Sequence, residues 1–169
     1  MAGTSTSASG PSRRIGGLRI AIIEARFYED IADEMAAGAL AVIEADGSHA
    51  ERFSVPGALE LPQLAQIVAA CGRTGTSART ARFDGIVALG CVIRGETSHY
   101  DIVCNNANHF LYEVARAFTI PIGNAILTVD TREQALARAR GGIAGKGGDA
   151  ARACLRLIEI AHDLHGRPQ

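Results

Sequence analysis

The run Gly90-Cys91-Val92-Ile93-Arg94-Gly95-Glu96-Thr97-Ser98-His99-Tyr100-Asp101 holds the residue types in this chain best suited to chemistry. Histidine is the side chain that both gives and takes a proton near neutral pH, and His99 ends a polar, glycine-punctuated segment. That segment joins an apolar run, Gly85-Ile86-Val87-Ala88-Leu89, to a helical pattern with apolar positions at Val103, Ala107, Phe110, Leu111, Val114 and Ala115. A helix start leaves backbone N–H groups without intrahelical partners and carries partial positive charge, which suits phosphate or carboxylate. The loop therefore reads as an anion cradle beside a proton carrier, with phosphoryl, acyl and carbonyl chemistry all open. The plainer alternative is an ordinary strand-to-helix loop in which Thr97 or Ser98 caps the helix.

Other elements must position this loop. Residues 18–23 read as a buried strand, and Ile31, Met35, Ala39, Val42 and Ile43 then recur at helical spacing until Asp46-Gly47 stops them. Residues 53–55 form a weaker strand running into the turn Pro56-Gly57, and residues 59–70 look helical with Pro62 in the first turn. Residues 72–82 are small, polar and basic, as in an exposed loop. A fourth strand spans 122–128, Asp130 or Thr131 caps a helix from 132 to about 139, and a last helix runs from 149 to about 164. Strand and helix alternate four times, which predicts a parallel sheet with helices on both faces. In such sheets ligands sit beyond the carboxyl ends of the strands. The polar segments 24–30, 56–60, 91–100 and 128–132 all follow strands and should converge on one edge.

Bulk composition narrows the class of protein. A chain of 169 residues, almost half of them apolar, is one globular domain. Residues 1–17 are Ser/Thr/Gly/Ala-rich and lack the apolar centre of a secretory signal, so they read as a disordered arm before a single domain at 18–169; a transit peptide is the lesser alternative. The formal charge of -1 gives no argument for nucleic acid, and no apolar stretch approaches the ~20 residues that span a bilayer. Cys71, Cys91, Cys104 and Cys154 show no metal-ligand spacing, and His49, His109, His162 and His165 do not cluster; reduced thiols in a cytoplasmic protein are expected.

Several further motifs have competing readings. Pro56-Gly57-Ala58-Leu59-Glu60 offers backbone donors and a carboxylate, or a plain turn with a surface Glu. Phe27 is either a stacking platform for a planar ligand or part of the core. The glycine-rich run 141–148 is not a P-loop, because Gly145-Lys146 is followed by Gly147 and a helix precedes it; it reads as a flexible linker with a solvated Lys146.

Taken in order, Arg26-Phe27, Val55-Pro56-Gly57-Ala58-Leu59-Glu60-Leu61-Pro62, the segment from Leu89 to Cys104, and Glu133-Gln134-Ala135 leading to Arg138 and Lys146-Gly147 resemble the lumazine synthase family of riboflavin biosynthesis. The resemblance covers nearly all of residues 18–164. It implies a three-layer, flavodoxin-like α/β/α fold with a four-stranded parallel sheet. It also implies condensation of 5-amino-6-(D-ribitylamino)uracil with 3,4-dihydroxy-2-butanone 4-phosphate, with no metal or organic cofactor. By position, Phe27 would stack on the pyrimidine, Ala58, Leu59 and Glu60 would meet the ribityl side, and Cys91, Val92 and Ile93 would meet the uracil edge. Glu96 and Thr97 would seat the phosphate, His99 would shuttle protons, and Arg138 would clamp the phosphate from an adjacent subunit. Lys146 would add a polar contact.

The resemblance implies a homo-oligomer with sites at subunit interfaces, a pentamer being favoured over a sixty-subunit shell, and riboflavin synthase as a candidate partner. Two residues depart from the family pattern. Asn124 stands where many members carry an aromatic or apolar group, so a contact across the subunit boundary becomes polar, and Tyr28 stands where Asn is usual. A non-catalytic flavin- or lumazine-binding protein, or a shell scaffold on the same fold, is the rival reading that these two departures favour.

Overall fold

The computed structural model describes residues 15–71 and 82–165. Most of the expected arm, and the exposed loop expected at 72–82 except for Arg82, lie outside the described residues. Four strands, β1 (Arg19–Ala25), β2 (His49–Val55), β3 (Gly85–Ile93) and β4 (Ile122–Val129), form one sheet in the order β2-β1-β3-β4, and every pairing is parallel. The helices are α1 (Glu29–Ala45), α2 (Leu61–Ala70), α3 (His99–Phe118), α4 (Arg132–Ala139) and α5 (Lys146–His165). The sheet is therefore the middle of three layers, as in flavodoxin-like folds.

Period-two alternation in β1 divides the core. Ile20 and Ile22 pack with α1, α4 and α5, whereas Ala21 and Ile23 face α2 and α3. The buried stripe of α1 is Ile31, Met35, Ala39 and Ile43, and that of α3 is Val103, Ala107, Leu111 and Val114. Phe110, expected on the same stripe of α3, is exposed instead, because it lies one position off the buried spacing. Thr131 caps α4 by accepting from the backbone N–H of Gln134. Among the described residues, no helix is long and apolar enough to cross a membrane.

Three expectations are corrected. First, β2 begins at His49, not residue 53, because its backbone pairs with β1 from Arg19↔His49 onward although its side chains are mostly half-exposed. Second, β3 runs to Ile93, so Cys91, Val92 and Ile93 belong to a strand and not to the loop; their apolar side chains extend the ladder with β4 to Ile93↔Val129. Third, the run 141–148 is not a flexible linker. It forms a short 3₁₀ turn at Gly142–Ala144 and then the start of α5, which begins at Lys146. Here glycine permits close approach: a Cβ at Gly147 would overlap the carbonyl of Met35 on α1, and one at Gly123 would overlap the carbonyl of Ala150 on α5. The glycines let α5 pack on α1 and β4 at backbone contact.

Candidate active site

The register of the sheet creates a step. β1 pairs with β3 only as far as Glu24↔Leu89, while β3 continues four residues further against β4 alone. The side of the β3 backbone turned away from β4 is thus open beyond the end of β1. An open cleft of about 330 Å³ lies over this step, lined by Cys91, Val92 and Ile93 from β3 and by the loops after β1 and β2 and the start of α3.

The expected contributors from the loops after β1 and β2 arrive in the cleft. Phe27 follows β1 and is 72% exposed, which decides between platform and core. Its ring is braced edge-on by Tyr28, with centroids 4.9 Å apart and planes at 73°. Ala58, Leu59 and Glu60 form a 3₁₀ turn after β2 and line the opposite wall. Gly57 precedes them, and a Cβ there would stand 3.1 Å from the Glu60 carboxylate, so glycine leaves that carboxylate its present place. Burial pushes the Cys91 thiol up to about 11, so it stays protonated and unreactive at neutral pH.

Thr97 and His99 line the cleft at the start of α3. Ser98 occupies the cap position but supplies no side-chain hydrogen bond, and Thr97 Oγ1 accepts from the His99 N–H only at 3.4 Å. The capped-loop alternative is thus weakly realised, and the helix start keeps donors for an anion. Glu96 is exposed in the same loop but does not line the cleft.

Beside the cleft sits a charged cluster. The Glu24 carboxylate is 2% exposed and receives Arg52 Nη2 at 2.9 and 3.0 Å, the Ser54 hydroxyl at 3.1 Å and Arg26 Nη1 at 3.5 Å. Arg26 also binds Asp33 on α1 at 2.8 Å, and this hydrogen bond holds the Asp33 carboxyl below its usual range. The cluster ties the ends of β1 and β2 to α1 next to the loop that carries Phe27.

Besides Glu96, three expected residues stay outside this cleft. Asn124 on β4 donates to Asn108 Oδ1 at 2.7 Å and accepts from the Ile126 N–H at 2.9 Å, so its amide is engaged within the chain. Arg138 is exposed on α4 and donates to the Gln134 carbonyl. Lys146 pairs with Asp149 at 2.9 Å. Both α4 and α5 pack on the sheet face opposite α2 and α3. The cleft also includes Tyr28, Gly57, Gly95, Tyr100 and Val103, which lie within or beside the same motifs as the expected residues. Val103 lies four residues after His99 on the same face of α3, a spacing from which it could have been read.

A largely apolar cleft with an exposed aromatic face, a helix start and an imidazole suits a planar heterocycle carrying a polar chain, beside an anionic co-substrate. The comparisons agree with this geometry. A family model described as 6,7-dimethyl-8-ribityllumazine synthase matches residues 17–162. Proteins named 6,7-dimethyl-8-ribityllumazine synthase from Methylorubrum extorquens (strain PA1), Methylobacterium radiotolerans and Azorhizobium caulinodans are 51%, 47% and 42% identical to it; the alignments cover 91%, 92% and 95% of this chain and 87%, 90% and 96% of those proteins. With both the sequence and the cleft in agreement, the chain belongs to the 6,7-dimethyl-8-ribityllumazine synthase family.

Proposed function

We propose that this chain condenses 5-amino-6-(D-ribitylamino)uracil with 3,4-dihydroxy-2-butanone 4-phosphate to give 6,7-dimethyl-8-ribityllumazine, phosphate and two waters. The observation that carries the reading is the juxtaposition, in one cleft, of the exposed Phe27 ring, the open edge of β3 and His99. Phe27 takes the pyrimidine face. Backbone groups of Cys91, Val92 and Ile93 meet the uracil edge, and Ala58, Leu59 and Glu60 meet the ribityl hydroxyls.

An amine attacks the ketone, water leaves to form an imine, phosphate is eliminated, and a second condensation closes the ring. Every step moves a proton between nitrogen, carbon or oxygen, and His99 is the group in the cleft suited to carry it. The start of α3, with Glu96 and Thr97, seats the phosphate.

The second half of the phosphate site comes from another copy of the chain. Arg138, Lys146 and Asn124 lie outside the cleft of their own chain, and Arg138 is exposed and able to clamp phosphate as a forked donor. Apolar side chains left exposed on several elements, Ile102 and Phe110 on α3, Ile143 after α4 and Leu157 on α5, supply surface for such an assembly. A pentamer is the proposed unit, with the larger shell and riboflavin synthase as further partners of the same surfaces.

Incubating the purified protein with both substrates and following lumazine absorbance and fluorescence tests the reading. Product should form well above the spontaneous condensation. A rate equal to that background would instead favour the non-catalytic binder.

A further inference from the structure

Between β3 and α3 the chain has little to hold it. Residues 94–99 are all exposed, the Cβ position of Gly95 meets nothing within 4 Å, and Ser98 gives α3 no side-chain cap. Yet this loop carries Thr97 and His99. One side chain bridges it to its surroundings. The Arg94 guanidinium lies over the Tyr100 ring, 4.0 Å from its centroid, while Nε donates to Asp130 at 3.0 Å and Nη1 approaches Asp101 at 3.6 Å. Its backbone N–H donates to the Val129 carbonyl at 2.9 Å.

Tyr100 is the residue after His99, lines the same cleft and is half-buried, with Cys104 on α3 and Thr128 on β4 near its hydroxyl. Arg94 thus joins the ends of β3 and β4 to the first turn of α3. A planar guanidinium can stack and pair at once, which an ammonium cannot.

We propose that Arg94 is a positioning residue for the condensation: through Tyr100, Asp101 and Asp130 it fixes the first turn of α3 and hence the placement of His99 and Thr97 in the cleft. The inference rests on the roles given above to those two residues. The ion pairs involved are solvent-exposed, so each contributes little to overall stability. Misplacement of a reacting group by about 1 Å can nonetheless cost on the order of a hundredfold in rate. The signature is therefore a loss of kcat without a matching loss of thermal stability.

The test compares steady-state lumazine formation by the full chain and by Arg94→Gln, Arg94→Lys and His99→Ala, each with its thermal midpoint. Arg94→Gln should lower kcat about tenfold while leaving the KM for the ribitylaminouracil and the thermal midpoint near parental. Arg94→Lys, which keeps the charge toward Asp130 but not the flat stacking face, should fall between the two; it carries the test alone if Arg94→Gln does not fold. A parental kcat in Arg94→Gln overturns the inference. So does a rate loss that tracks a lowered thermal midpoint and that lysine does not lessen. A parental rate in His99→Ala would instead remove the proposed role of His99, a result read independently of the Arg94 variants.

Discussion

The cleft over β3 and the surface around α4 and the start of α5 hold two halves of one proposed site, and they are built differently. Side chains in the cleft are presented: Phe27 stands out from the fold, braced by Tyr28 on a loop beside the buried Glu24 cluster, and His99 projects from an open helix start. Side chains on the other surface are occupied at home, Arg138 by the Gln134 carbonyl and Lys146 by Asp149. Under the proposed sharing, Arg138 and Lys146 exchange these local partners for a phosphate presented in a neighbour's cleft.

That contrast can be broken at several points. The largest effect is expected from His99→Ala, which should slow lumazine formation on the order of a hundredfold or more; the affinity for inorganic phosphate, measured as inhibition, should change far less. Equal rates for variant and parent would end the shuttle role. Next comes the charged cluster beside the cleft. Glu24→Ala removes the hydrogen bonds from Arg52 and Ser54 and leaves both arginines partly solvated, and should lower unfolding free energy by about 2 kcal/mol, read from denaturant midpoints, whereas the corresponding loss for an exposed pair such as Lys146–Asp149 should stay below about 1 kcal/mol. Phe27→Ala should be milder still: it removes one stacking face and should raise the KM for the ribitylaminouracil about tenfold with little change in thermal stability, since the ring is mostly exposed.

The smallest effect concerns acid. Burial opposes ionisation of Asp149, but hydrogen bonds from Lys146 and Arg152 and their charges outweigh it and hold the carboxyl below its ordinary value of 3.8. A carboxyl whose pKa is depressed on folding stabilises the native state above its unfolded pKa, and that contribution is lost as the pH falls through the folded value. Stability of the parent should therefore fall more steeply below pH 3.8 than that of Asp149→Asn, as measured by thermal midpoints across an acid series.

Much of this could be read from the sequence because it depends on local pattern. Apolar runs and helical spacing placed every strand and helix, and the polar segments after β1, β2 and β3 do meet at one edge of the sheet. What failed was set by tertiary pairing. Nothing in the half-polar His49-Ala50-Glu51-Arg52 marks a strand until β1 is beside it. The end of β3 was misread because glycine at position 90 suggested a break, whereas the ladder with β4 carries the backbone on to Ile93. The glycines at 147 and 148 signalled flexibility by composition but serve close packing on α1 and the preceding turn. Tyr100, Arg94 and the Glu24 cluster became visible only through contacts between residues distant in the chain.

The division of the site between two copies is tested most directly by complementation. His99→Ala loses the proton carrier of its own cleft and Arg138→Ala loses the phosphate clamp it lends to another, so each alone should be nearly inactive. Co-expressed in equal amounts and purified as a mixed assembly, they should recover roughly one quarter of the parental lumazine-forming rate, the share of interfaces at which an intact His99 meets an intact Arg138. Activity no greater than the average of the two separate variants would contradict a site shared between subunits.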